Sequence, residues 1–338
     1  MNRWSQVANP VPVVAVAAQA ELLRISDLRV EFFTYAGVVK ALDGVNLQVN
    51  QNEWFGIVGE TGCGKSVTAY SILRIIPPPG EIVGGQILFE GEDLLKKSDK
   101  EMRGVRGRRI TMVFQDPLTS LNPAFRIGDQ IVEAIRAHQV TTKSKAIHKA
   151  TELLKKVGVD SPSRRMDDYP HELSGGMRQR AVIAMALSGF PSLLIADEPT
   201  TNVDVTVQRQ ILDVMKQLQE DYRTSMLYIT HDLGVVAEMC DRVAVMYCGN
   251  VVEYAPVKTI FKESKHPYTR GLVNAFPKLT AKKDWFEVIR GNVPDLILPP
   301  SGCRFHPRCD SCMKKCSEQR PPEVEIEPGH MVMCHLYG

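Results

Sequence analysis

Gly59-Glu60-Thr61-Gly62-Cys63-Gly64-Lys65-Ser66 is the stretch whose reading decides the fold. It fits Gly-x-x-x-x-Gly-Lys-Ser/Thr at every position, a pattern with a physical mechanism. The glycines let successive backbone N–H groups curl around phosphate oxygens. A helix opening at the end of the loop adds a favourable dipole. The flanks supply the context the pattern needs. Trp54-Phe55-Gly56-Ile57-Val58 reads as a buried strand, and residues 66–76 as a helix stopped by Pro77-Pro78-Pro79-Gly80. Lys65 is placed to reach the β- and γ-phosphates of a nucleotide, and Ser66 to coordinate Mg²⁺.

Working outward, residues 22–30 and 45–49 read as strands around a turn region. Further strands are expected at 86–90, 110–114, 192–196, 225–229 and 243–247, and helices at 178–187 and 205–222. Residues 117–176 form a helix-rich insert with breaks at Pro123, Gly158 and Pro170. Strands alternating with helices imply an α/β fold with a mainly parallel sheet. From residue 264 the pattern becomes proline-rich and irregular.

The composition of the 338 residues narrows the function. A net charge of +2 argues against a nucleic-acid partner, which calls for a basic excess or face. The basic residues between Lys96 and Arg109 are interleaved with acids and read as a solvated helix face. No run of about 20 apolar residues exists to span a membrane. Residues 10–20 are apolar and loosely resemble a secretory signal, but their prolines and valines make a poor signal helix. Residues 1–21 are therefore read as a disordered extension or an over-long start.

Two further motifs carry chemistry. Leu193-Leu194-Ile195-Ala196-Asp197-Glu198 is an apolar strand that delivers two carboxylates at its C-terminal end, where α/β sheets bind ligands. Asp197 suits Mg²⁺ held through its water shell, and Glu198 suits a general base that orients the attacking water. Leu173-Ser174-Gly175-Gly176-Met177 then precedes a helix and makes a second anion cradle. One nucleotide cannot fill two distant cradles. Two chains facing head to tail resolve this, each second cradle closing on the other chain's γ-phosphate.

In these motifs the sequence resembles the ATP-binding subunits of ABC transporters, over residues 22–336. The resemblance implies a P-loop NTPase (RecA-like) core with an ABC β-subdomain and a helical subdomain, followed by an irregular cysteine-rich C-terminal extension. It divides the chain into an ATPase domain at 22–263, with the helical subdomain at about 117–176, and a C-terminal domain at 264–338. It implies a translocating ATPase (EC 7.4.2 class). It also implies roles for matching residues. Gln115 takes the Q-loop position, His231 that of the switch histidine, and Asp204 that of the D-loop aspartate at the dimer interface. Asn202-Val203 departs from the Ala-Leu or Gly-Leu usual there. An aromatic residue before the phosphate loop usually stacks on adenine; Phe32 is the candidate by spacing, with Phe33 and Tyr35 as competitors.

The last third resembles the di-/oligopeptide importer branch, through residues 266–272 (His266-Pro-Tyr-Thr-Arg-Gly-Leu272), 293–296 and 302–309, together with 117–123. Branch members also import oligosaccharides or nickel, so cargo stays open between these. Five of eight cysteines crowd the tail as C-x5-C-x2-C-x3-C-x17-C, a density that suits a [4Fe–4S] cluster or zinc. The branch pattern maps onto Cys303, Cys309, Cys316 and Cys334 and implies [4Fe–4S], with Cys312 as an extra thiol. His306, His330 and His335 keep zinc as the alternative. The resemblance further implies a non-identical second ATPase, two membrane permeases, an external binding protein and a peripheral place on the cytoplasmic face of the membrane. Rival classes fit less well. A P-loop GTPase or kinase lacks the second cradle and needs Asn-Lys-x-Asp, which is absent. A soluble ABC ATPase normally shows a coiled coil, a second cassette or a basic face.

Overall fold

The computed structural model describes residues 20–116, 120–201, 203–275 and 289–338. Residues 1–19 of the expected N-terminal extension, Asn202 and residues 117–119 of the importer-like segment lie outside these, while Glu21, expected in the extension, instead opens the first strand, Glu21–Thr34, because it pairs with Asn50. Two sheets organise the chain. The smaller is antiparallel, in the order β2 (Gly37–Asn50), β1 (Glu21–Thr34), β4 (Gly80–Phe89) and β5 (Glu92–Asp93). The expected short strands around a loose turn are in fact one long ribbon. β1 and β2 stay paired up to Thr34↔Gly37, leaving only Tyr35 and Ala36 at the tip. The pairing runs through several register shifts, and these irregularities obscure the two-residue alternation that marks a strand in sequence.

The larger sheet has eight strands. Five are parallel and run β9 (Arg242–Tyr247), β3 (Trp54–Val58), β8 (Ser225–Ile229), β7 (Leu193–Asp197) and β6 (Ile110–Val113). Every residue of β3, β7 and β8 is buried, as expected of parallel strands covered on both faces. Their alternation divides the core. Leu194 and Ala196 pack on one face, and Leu193 and Ile195 on the other. The chain segments that leave the carboxyl ends of β3, β7 and β8 are those carrying the phosphate loop, Asp197-Glu198 and His231.

The insert is helical as expected, with helices at Ile127–His138, Lys143–Lys156 and Pro162–Arg165. The first two present apolar stripes, Ile127, Ile131 and Ile135 on one and Ala146, Ala150 and Leu153 on the other, to a shared core. The helix Gly175–Leu187 packs on both and on β6.

The C-terminal extension is irregular only in part. It ends in a hairpin, β11 (Glu323–Glu327) and β12 (His330–Met333), and β12 pairs with β10 (Asn250–Pro256) at the end of the large sheet. The tail is therefore structurally continuous with the ATPase core. Among the described residues no helix is long and apolar enough to cross a membrane.

Candidate functional site

The phosphate loop is shaped by close backbone approach. Gly64 has φ +106°, and a Cβ there would lie 2.6 Å from Leu42 Cδ2 and 3.0 Å from the Ala41 carbonyl. Only glycine fits a position both left-handed and crowded. Gly62 has φ +81° but open space around it. Lys65 opens the helix Lys65–Leu73, and its buried Nζ donates to the carbonyls of Gly59 (2.8 Å) and Glu60 (3.1 Å). The ammonium is thereby held over the loop. Gly59, Glu60, Thr61, Gly62, Cys63, Gly64 and Ser66 form one continuous turn into that helix.

Asp197 is 2% exposed and lies beside the Ser66 hydroxyl. Burial pushes its carboxyl above the ordinary aspartate range, and Glu198 adds to this, while Ser66 and Lys65 pull it back. Asp197 Oδ1 is buried with no hydrogen-bond partner. A buried anion with an unmet acceptor beside a serine hydroxyl fits a hydrated Mg²⁺ ion.

Glu198 has φ +46° just past the end of β7, and its N–H donates to the Ile229 carbonyl at 2.9 Å. Three side chains surround its carboxylate. Gln115 Nε2 donates to Oε2 at 3.1 Å, Thr201 Oγ1 donates to Oε2 at 3.0 Å, and His231 Nδ1 stands 3.3 Å from Oε1. Gln115 and His231 are thus brought together with Glu198. Thr201 was not singled out from the sequence; its position three residues after Glu198 is the only hint available.

Ser174 caps the helix Gly175–Leu187, accepting from the Met177 N–H at 3.3 Å. Gly175 has open space around it. Gly176 does not, since a Cβ there would come 2.7 Å from Val207 Cγ1. Asp204 caps the neighbouring helix Val205–Tyr222, accepting from the Val207 N–H at 2.9 Å. The Ser174–Gly176 and Asp204 segments therefore share one corner, both meeting Val207. Phe32 is half-buried, its ring against Gly80, where it packs on the core beneath the small sheet; Phe33 and Tyr35 are exposed.

The tail cysteines are gathered. Cys303, Cys316 and Cys334 are buried and Cys309 is half-buried. Cys303 lies close enough to Cys334, Cys316 and Cys309 to feel their charge. Cys312 is exposed and neighbours Cys316 and Cys309. Among the described residues no three His, Cys, Asp or Glu side chains are grouped to hold a single metal ion. Each histidine raised for zinc has one ring nitrogen engaged, His306 with the Cys303 carbonyl, His335 with the Gln319 carbonyl and His330 with Glu253, while His330 Nδ1 is buried without a hydrogen-bond partner. This arrangement supports neither the [4Fe–4S] cluster nor the zinc ion expected at these thiols.

Fold and site together define an ATP-binding cassette. Residues 42–201 match the ABC transporter family model, and residues 252–316 match the C-terminal region of oligopeptide/dipeptide transporters. Among curated relatives, the probable peptide ABC transporter ATP-binding protein y4tR of Sinorhizobium fredii is 50% identical over 315 residues, 93% of this chain and 94% of its own. The oligopeptide transport ATP-binding protein OppD of Bacillus subtilis is 50% identical over 317 residues (93% and 88%), and OppD of Escherichia coli 44% over 324 (96% and 95%). Among solved structures, cbiO1 of Clostridium perfringens aligns with TM-score 0.62 at 26% identity (72% and 92%). The dimeric MJ0796 cassette aligns with TM-score 0.63 at 24% identity (70% and 99%), a likeness of fold. The chain belongs to the ATP-binding, ATP-hydrolysing subunits of oligopeptide/dipeptide-type ABC transporters.

Proposed function

We propose that this subunit drives uptake of di- or oligopeptides by closing on ATP together with a second, non-identical ATPase. The supporting observation is the separation of duties within one chain. Lys65, Ser66, Asp197 and the Gln115–Glu198–His231 group gather around the phosphate loop, while Ser174 and Gly176 sit on a helix that packs with the helical subdomain. That second cradle serves the ATP of the partner. Glu198 holds the attacking water and takes its proton; Gln115 and His231 orient the carboxylate and sense the γ-phosphate. Ser66 and Asp197 would hold Mg²⁺, which neutralises phosphate charge when bound. Adenine stacks on an aromatic residue of the β1–β2 hairpin, Phe32, Phe33 or Tyr35; the rings of the last two are open to it.

Two membrane permeases dock at the groove between core and helical subdomain, about 440 Å³ and lined by Ile75, Met112, Phe114, Ala134 and Met185. Phe114 adjoins Gln115, so a permease segment seated there feels the hydrolytic carboxylate through one peptide. The subunit then lies on the cytoplasmic face of the membrane, with a substrate-binding protein outside. The tail thiols Cys303, Cys309, Cys316 and Cys334 would hold a [4Fe–4S] cluster. Anaerobic purification with iron and sulfide analysis tests this, and colourless protein without iron rejects it. Transport is tested by vesicles carrying the assembled permeases, both ATPases and the binding protein. ATP-dependent accumulation of labelled peptides supports the reading; accumulation of only oligosaccharide or nickel assigns the cargo otherwise.

A further inference from the structure

Arg308 belongs to the cysteine-bearing tail, one residue before Cys309, yet its guanidinium grips the phosphate loop. Nη1 donates to Glu60 Oε2 at 2.7 Å and Nη2 to Glu60 Oε1 at 3.0 Å, a bidentate pair. The arginine side chain is only 5% exposed. It lies over the Tyr247 ring and is fixed further by Nε donating to the Arg290 carbonyl at 3.0 Å.

A second tail residue holds the same loop residue. Tyr268, fully buried, accepts the Glu60 N–H on its hydroxyl at 3.0 Å. The Glu60 carbonyl in turn accepts from Lys65 Nζ at 3.1 Å and the Cys63 N–H at 3.2 Å. Glu60 is therefore gripped by the tail at its N–H and its carboxylate, while its carbonyl holds the lysine. The carboxylate matters electrostatically. A glutamate in a phosphate cradle repels the anion it is meant to bind, and the bidentate arginine turns it away and cancels its charge.

We propose that Arg308 and Tyr268 are positioning residues for nucleotide binding. Through Glu60 the tail sets the shape and charge of the phosphate loop. Neither residue touches the reacting atoms. Loss of Arg308 leaves an unpaired carboxylate beside the triphosphate, so the penalty falls on ATP affinity more than on turnover. It is also relieved when the carboxylate is removed as well.

The test measures KM for ATP and kcat in the assembled complex of both ATPases and permeases. R308Q should raise KM roughly tenfold with kcat within about twofold. The double variant E60Q/R308Q should recover most of that loss, and R308K part of it, since lysine restores the charge without the fork. The KM penalty of R308Q should shrink with added salt. Y268F keeps the ring packed against Tyr247 and Phe305 and removes only the acceptor of the Glu60 N–H. It should raise KM about threefold. If R308Q does not assemble, Y268F decides alone. The proposal is overturned if Y268F leaves KM unchanged, or if R308Q and E60Q/R308Q are impaired equally, which makes Arg308 a tether and no more.

Discussion

Gln115 and Glu198 are 83 residues apart in the chain, yet the amide Nε2 of one donates to Oε2 of the other at 3.1 Å. The glutamine follows β6 at the entrance to the helical subdomain, and the glutamate leaves β7. A displacement of the segment that follows β6 would therefore strain or release this hydrogen bond. The carboxylate at the end of β7 is tied to the segment that enters the helical insert.

Replacing Glu198 by Gln keeps shape and hydrogen bonding but removes the proton acceptor. Turnover of the assembled transporter should fall about 10²- to 10⁴-fold while nucleotide binding stays intact. Steady-state ATPase assays paired with equilibrium binding of a fluorescent ATP analogue check both halves. Near-normal turnover in this variant would remove Glu198 from its role.

The phosphate loop offers a steric test. Gly64→Ala places a methyl group 2.6 Å from Leu42 Cδ2 in a backbone conformation that side chains avoid. ATP binding should be lost, and the melting temperature should drop in line with a cost of about 1–3 kcal/mol. Gly62→Ala meets no atom within 4 Å, so its penalty comes from φ alone and should be smaller. Calorimetry of both variants, with and without nucleotide, ranks them.

Glu253 on β10 and His330 on β12 are both buried, and His330 Nε2 stands 2.8 Å from Glu253 Oε1. The same carboxylate accepts the N–H groups of Lys265 (2.7 Å) and His266 (2.9 Å). Removing one side of such a buried network leaves the other unpaired. Glu253→Ala should cost about 3 kcal/mol in urea unfolding, and the loss should release the tail first. Limited proteolysis reads that order: cleavage should begin near the β11–β12 hairpin while the core stays intact.

His266 gives a pH dependence. Complete burial, with a smaller contribution from Arg270, lowers its pKa from 6.5 to about 3. Its Nδ1 accepts the Tyr268 N–H, which requires an unprotonated nitrogen. The unfolded chain takes up a proton near pH 6.5 and the folded chain does not, so stability is full above that pH. It falls by about 1.4 kcal/mol per unit as pH drops from there towards 3. His266→Asn retains a capping side chain without the titration, so its stability should fall less between pH 7 and pH 5. Parallel slopes for the two proteins would exclude this histidine as the source.

Much of this architecture is written locally. The helix Val205–Tyr222 is read from the sequence to the residue, since Asp204 caps it and an apolar stripe through Ile211, Met215 and Leu218 continues for five turns. Lys65, Asp197 and Glu198 are legible because each ends a buried strand or opens a helix with its own signature. The hairpin at the chain's end is not legible in this way. Glu323-Val324-Glu325-Ile326-Glu327 alternates like a strand, but its alternate residues are charged, and the strand that anchors its hairpin partner β12 to the sheet is β10, 77 positions before it at Tyr254↔Met331. The same holds for Arg308 and Glu60, 248 residues apart, where neither sequence neighbourhood names the other. Distant pairs are set by how the layers stack, and a linear pattern carries no record of that.

The hairpin that completes the large sheet also bears on biosynthesis. Chains fold from the N-terminus as they emerge, so every strand of the parallel core is available before residues 323–333 exist. Until they arrive, the outer edge of β10 is a row of unsatisfied backbone groups open to any other strand. A cassette whose β10 edge is bare offers a template for strand pairing, and the tail hairpin is what covers it.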